Sequence, residues 1–172
     1  LTEVLCARVC LTVADARGKN AQGWGETPLS VQWTWPSQLS YQDRCDAMQD
    51  FCRRLAQAWA GFAGRGHPLE VGYEFNESVL PRVLDELNRQ RGADREPMPW
   101  LAALVCCSAF DIALHDAYGN LLGCPVYETY DAAHMNADLA HFLKPASGSG
   151  VSFAGRYPVD FLQVPTPRRL PA

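Results

Sequence analysis

The segment from Leu101 to Tyr130, LAALVCCSAFDIALHDAYGNLLGCPVYETY, constrains this chain more than any other. Its helical part is apolar on every side, and a helix with no polar face has to lie between other elements. The ionisable groups in that part are Asp111, His115 and Asp116. Gly123 and then Pro125 supply a left-handed cap residue and a block to further helix. Pro99 suits the first turn. The expectation is a central helix enclosed by the rest of the chain.

The flanking sequence supplies the enclosure. Apolar and polar residues alternate from Val4 to Val13, Asp15 to Gly18 carries turn chemistry, and Gln22-Gly23-Trp24-Gly25-Glu26 opens a second extended run, which together predict a β-hairpin. Thr27 to Ser40 holds two prolines and two tryptophans without helical period and reads as a loop. Tyr41, Cys45, Met48, Cys52, Leu55 and Trp59 then recur at steps of four and three, with Ser40 and Asp43 placed as N-cap and acidic partner. Gly61, Gly64 and Gly66 end that helix. A further helix falls between Leu69 and Asn88, with Leu80, Val83, Leu84 and Leu87 on one stripe and Pro81 either in its first turn or kinking it. Arg89 to Pro97 is a charged connector. Asp131 to Leu143 has room for one short helix, and Lys144 to Ala172 is rich in Pro, Gly and Ser, with a short apolar run at Val159 to Val164 and no core of its own. Strands followed by helices predict an α+β fold, an antiparallel sheet packed on an antiparallel helical bundle.

Bulk properties exclude several classes. With 172 residues the chain can build a real core, since a chain of roughly 150 residues buries about 70% of its unfolded surface. The net charge is −4, and the thirteen arginines are scattered from Arg8 to Arg169, so nothing recruits nucleic acid. The longest strongly apolar uncharged run, Pro97 to Phe110, is shorter than the ~18 residues of a membrane span, and no basic-then-apolar leader is visible. Seven cysteines, an odd count without Cys-x-x-Cys spacing, read as reduced apolar residues of a cytoplasmic protein rather than as a disulfide framework or zinc site. Leu1 already lies in a strand-like pattern, so the natural domain is expected to begin earlier.

The candidate chemistry is sparse. Asp111 and His115, four apart on one helical face with Asp116 adjacent, have the composition of an acid/base pair or of two metal ligands, but satisfied hydrogen-bonding groups inside the bundle are the favoured reading. Glu26 at its strand end is read as a carboxylate capping a turn or a neighbouring helix before it is read as catalytic. Cys106 and Cys107 lie where burial suppresses thiol reactivity. His134 and His141 stand one heptad apart without a carboxylate or thiolate pattern. Gly23 and Gly25 are too few for a phosphate loop. The tryptophan loop differs: Trp33 and Trp35, with Gln32 and Thr34, offer rigid apolar surface and hydrogen-bonding groups between a sheet and a helix, where ligands are often met. Plugging the seam between sheet and helices weighs equally for them.

Taken in order, the strand, the Asp15 to Gly18 turn, Gly23-Trp24-Gly25-Glu26, a helix, Gly66-His67-Pro68, and Ala109-Phe-Asp111-Ile-Ala-Leu-His-Asp116 with Gly119, Gly123 and Pro125 form a pattern. It resembles the N-terminal capping domain of the mandelate racemase and muconate lactonizing enzyme branch of the enolase superfamily, over roughly Val4 to Tyr130. The resemblance implies residues 1–130 as capping domain and 131–172 as an irregular passage or insertion, leading to a (β/α) barrel outside this sequence. In that family the barrel holds magnesium on three acidic side chains and uses a Lys or His base to remove the proton next to a substrate carboxylate. The implied activity is racemisation, acid-sugar dehydration or cycloisomerisation. No residue of the metal or base set maps onto this sequence, so the chain alone is expected to be inactive. The loop after Glu26 corresponds to one of the family's pocket-shaping loops, which favours Gln32, Trp33, Thr34 and Trp35 as substrate-contacting residues. The family's first strand has no counterpart here, which implies an unpaired sheet edge and an exposed apolar patch. The implied partners are a small carboxylate substrate and the chain's own barrel domain, with a homo-oligomer left open and neither nucleic acid nor membrane expected. A non-enzymatic helical interaction module, with the tryptophans as hot spot, is the alternative.

Overall fold

Alternation in the first part of the chain becomes strand β1, Cys6–Ala14, paired antiparallel with β2, Asn20–Pro28, in a register that places Arg8 opposite Glu26 and Cys10 opposite Trp24. The computed structural model describes residues 4–162. The turn is built by Asp15, whose Oδ1 accepts from the N–H groups of Arg17 and Lys19, both at 2.9 Å, and by Gly18 at φ +83°. An aspartate that bonds its own following backbone closes such turns.

Helices follow in the order α1 (Val31–Thr34), α2 (Tyr41–Ala60), α3 (Pro68–Ser78), α4 (Leu80–Arg91) and α5 (Trp100–Leu122). The short α1 interrupts a stretch that lacks helical period, and a single turn is too short to announce itself by period. Ser40 caps α2 by accepting from Asp43 N–H at 3.0 Å. The predicted stripe of α2 is buried at Cys45, Met48 and Leu55, with Phe51 added, while Tyr41 is exposed. One predicted helix between Leu69 and Asn88 is two, α3 and α4, separated at Val79. Pro81 stands in the first turn of α4, where a missing N–H is tolerated. His67 caps α3, its Nδ1 accepting from Leu69 N–H while Glu70 accepts from His67 N–H at 2.9 Å. Gly92, at φ +90°, ends α4.

The predicted apolar helix is α5. It contacts β1, β2, α2, α3 and α4, and Gly123 closes it at φ +75°, the left-handed cap expected from the sequence. Contrary to expectation it has a narrow solvent stripe, with Leu101, Ile112 and Leu122 exposed. At 23 residues α5 is long and apolar enough to cross a membrane, a test that a core helix also passes.

The tightest contact in the chain joins β2 to α5. Gly23 and Gly25 face the helix, and a Cβ on Gly23 would stand 2.0 Å from the Ala117 nitrogen. On Gly25 it would stand 2.0 Å from the Ala109 carbonyl oxygen and 2.7 Å from the Ala113 nitrogen. Glycine in a strand opposite alanines spaced by four lets two backbones touch without intervening side chains. The outer flank of β2 is tied to the same helix, since Asp116 Oδ2 accepts from Trp24 N–H at 2.8 Å and Asn120 Nδ2 donates to the Gln22 carbonyl at 2.9 Å. Thr27 and Ser108 share a 2.7 Å hydrogen bond.

The opposite flank differs. Bonds from Leu29 N–H to Leu5 C=O and from Asp15 N–H to Lys19 C=O assign the ladder to odd-numbered residues, so Cys6, Arg8, Cys10, Thr12 and Ala14 direct their amides away from β2. Among the described residues β1 has no second strand.

The chain divides into two units, Leu1–Gly123 and Cys124–Ala172, so 124–130 falls in the second. That unit has a 3₁₀ turn at Val126–Thr129, a short helix α6 (Leu139–Phe142) and another 3₁₀ turn at Pro158–Phe161. Asp138 organises it, accepting from Ala140 N–H at 3.0 Å and Gly155 N–H at 2.6 Å, while Leu139 N–H reaches the Arg156 carbonyl. Val164 lies outside the described residues.

Gly23→Ala or Gly25→Ala should lower unfolding free energy by at least ~3 kcal/mol, because neither backbone can retreat without opening the hairpin. Urea denaturation measures this. Gly18→Asn, with nothing within 4 Å of an added Cβ, should cost little, since asparagine tolerates positive φ. Equal sensitivity at positions 18 and 23 would contradict the contact described.

Candidate functional site

The loop between β2 and α2 is held at one point and displayed at another. Trp35 is 1% exposed, and its Nε1 donates to Glu96 Oε1 at 3.0 Å. Ser37 Oγ donates to the other oxygen of Glu96 at 2.6 Å, and these two bonds hold that carboxyl below the usual range. The Arg91 guanidinium lies 5.1 Å over the Trp35 ring, and Arg44 Nη1 donates to the Trp35 carbonyl. Such a cation over an indole adds to the attraction. Thr34 is buried, its hydroxyl donating to the Ser30 carbonyl at 2.9 Å. Trp33, by contrast, is 60% exposed, and Gln32 is exposed beside it. The four residues singled out in sequence thus split: Trp35 and Thr34 anchor the loop, while Trp33 and Gln32 face solvent.

The carboxylate and imidazoles of α5 form a second cluster. His115 Nδ1 lies 2.8 Å from the Asp111 carbonyl oxygen and 3.7 Å from Asp111 Oδ2. The His115 ring stands 6.5 Å from that of buried His67, which is 5.2 Å from Tyr118. A Cβ on Gly72 would meet Asp111 Oδ1 at 2.5 Å, so glycine on α3 makes room for the carboxylate. The His115–Asp111 contacts run within α5, and what meets α3 is the His67 ring and the space left by Gly72. Burial pushes the Asp111 carboxyl above its usual range, and His115 pulls the other way.

Glu26 does not cap a helix; with Arg8, Trp24 and Gly25 it lines a shallow open pocket on the hairpin. It pairs with Arg8 at 2.8 Å across the exposed face of the hairpin, because register sets the two directly opposite. Cys106 and Cys107 are buried, and burial pushes the Cys107 thiol up to about 12. Cys6 and Cys10 are exposed, because alternation sends the even residues of β1 outward. His134 Nδ1 lies 2.8 Å from Asp131 Oδ1, and His141 packs its ring on Phe142 at 4.9 Å. Among the described residues no three His, Cys, Asp or Glu side chains stand close enough to hold a metal ion.

An open groove of about 700 Å³ runs along the free flank of β1, lined by Val9, Leu11, Cys52, Trp59, Phe62 and Phe110 among others. Trp59 stacks on Phe75 at 3.9 Å below it. The groove lies at the unpaired sheet edge expected from the sequence, but its lining from α2 and α5 and the Glu96 clasp were not legible, since each joins residues far apart in the chain. No family model, curated protein or solved structure matches this chain.

Asp111 yields a pH test. A carboxyl whose folded pKa is raised is better tolerated protonated, so its contribution is most favourable below the unfolded value of about 3.9 and declines as pH rises toward the folded value. Asp111→Asn should therefore be at least as stable as the parent at neutral pH, the advantage vanishing below about pH 4. Thermal melts across that range check it; a clear loss at neutral pH would mean that the charge itself holds α3 to α5.

Proposed function

We propose that this chain is the capping portion of a magnesium-dependent enolase-superfamily enzyme that abstracts a proton next to a substrate carboxylate, as a racemase, acid-sugar dehydratase or cycloisomerase. The observation carrying this reading is that its sequence signals meet in one contact. Gly23 and Gly25 rest on Ala109, Ala113 and Ala117, and Asp116 takes the Trp24 N–H. Two motifs roughly eighty residues apart in sequence are thereby explained by one close approach of strand and helix. In this reading α2 to α5 are the antiparallel bundle and the hairpin is the remainder of the sheet. Magnesium, its acidic ligands and the base belong to a barrel beyond these residues.

Within the cap, Trp33 and Gln32 are the substrate-facing pair, and Trp35 and Thr34 hold them in place. The exposed apolar side chains of Trp100 and Leu101 at the start of α5, which contacts α1, are surface for the barrel to cover. The same exposure favours the alternative, a non-enzymatic interaction module whose hot spot is Trp33.

The discriminating experiment is to sequence the coding frame that follows. A barrel with acidic residues at successive strand ends is expected, and a frame without one overturns the proposal in favour of the interaction module. In the whole enzyme, Trp33→Ala should raise KM for the carboxylate substrate about tenfold with little change in thermal midpoint. Trp35→Ala should lower the midpoint. An unchanged KM in the first variant would remove Trp33 from the substrate pocket.

A further inference from the structure

Seven thiols are distributed unevenly over the fold. Cys6 and Cys10 lie on the exposed face of the hairpin, Cys45 is buried on α2, and Cys124 is half-buried outside the first unit. Cys52 on α2 and Cys106 on α5 are placed differently. Cys106 is fully buried, and its thiol lies 3.7 Å from the Met48 carbonyl oxygen. That carbonyl stands one helical turn before Cys52, the residue whose N–H it accepts in an α-helix. The Cys106 sulfur therefore rests against the turn of α2 that carries Cys52. Cys52 is half-buried and lines the open groove beside β1. A small molecule entering the groove meets Cys52, whereas Cys106 is buried and does not line it.

We propose that Cys52 and Cys106 are a peroxide-responsive dithiol, with Cys52 as the sulfur that is oxidised and Cys106 as the sulfur that resolves it, closing to a disulfide that staples α2 to α5. The groups around the pair suit these roles. The Cys106 thiol and the neighbouring Arg53 favour the Cys52 thiolate against the opposing effect of burial, and the Cys106 thiol is pushed up. Thiolate character and access together select which cysteine an oxidant attacks. Cys107, the nearest competitor in sequence, is buried and turned toward Asn76 Oδ1 at 3.7 Å.

The chemistry balances with a hydroperoxide as the sole oxidant. The Cys52 thiolate attacks the terminal peroxide oxygen, the O–O bond breaks, and Cys52 becomes a sulfenic acid as the alkoxide leaves and takes up a proton as alcohol. The Cys106 sulfur then attacks the Cys52 sulfur and the S–O bond breaks. The departing hydroxide takes the Cys106 proton and leaves as water. Two thiols lose two electrons in total, and these reduce the peroxide. No part of this depends on the enzymatic reading above.

The test exposes the full chain to hydrogen peroxide under native conditions, alkylates the remaining thiols and digests without reduction. Expected is a monomer lighter by two hydrogens, a Cys52–Cys106 linked peptide, reversal by dithiothreitol and a higher thermal midpoint before reversal. Cys106→Ala should divert Cys52 to the sulfinic acid, because nothing resolves the sulfenic acid. Mapping on the unaltered chain decides the matter even where a variant folds poorly. Full alkylation of Cys106 after peroxide overturns the proposal, as does a link to Cys107 or an intermolecular bond through Cys6 or Cys10.

Discussion

The rest of the first unit depends on a contact that contains almost no side chain. At Gly23 and Gly25 the backbone of β2 lies on that of α5, over alanines that recur every four residues. Once strand and helix are this close, short side chains suffice to bind them along the flank. Asp116 and Asn120 reach the β2 backbone directly, and Ser108 meets Thr27. The odd residues of β1 are drawn toward the core by the register of the hairpin, and the groove beside β1 opens over α2, where a third strand is absent among the described residues. Backbone atoms cannot change rotamer to relieve crowding, which is why two glycines carry so much of the arrangement.

The polar residues of α5 divide the labour around that contact. Asp116 and Asn120 serve the strand, whereas Asp111 and His115 serve α3 through the cluster with His67. The loop after β2 is handled by a separate set, Glu96, Arg91 and Arg44, which grip Trp35 from three directions. A loop fixed at Trp35 can hold Trp33 out in solvent at a defined place, which is the geometry wanted of a contact residue whatever it touches.

Local signals in the sequence were reliable where chain neighbours decide the outcome. The Asp15 turn, the Ser40 cap, the Gly123 terminus and the stripes of α2 and α4 rest on residues a few positions apart, and each was legible. Val79 was not, because a break between two helices with Pro81 just beyond it reads equally as one kinked helix. Ile112 is exposed although the helix is apolar all round, since apolarity does not reveal which face receives no neighbour. Glu26 was misjudged because its partner Arg8 is fixed by hairpin register, eighteen positions away. For the loop, composition marked Trp33 and Trp35 alike; partners such as Glu96, sixty-one positions from Trp35, and Arg91 distinguish the anchored indole from the displayed one.

The two flanks of the hairpin have unequal valence. Helix α5 has spent the outer side of β2, while the even residues of β1 keep their amides available. A sheet with a single reactive border can acquire one neighbour and then stops. Growth of such a sheet through its edges ends at a pair, because a fibril needs two open borders per subunit.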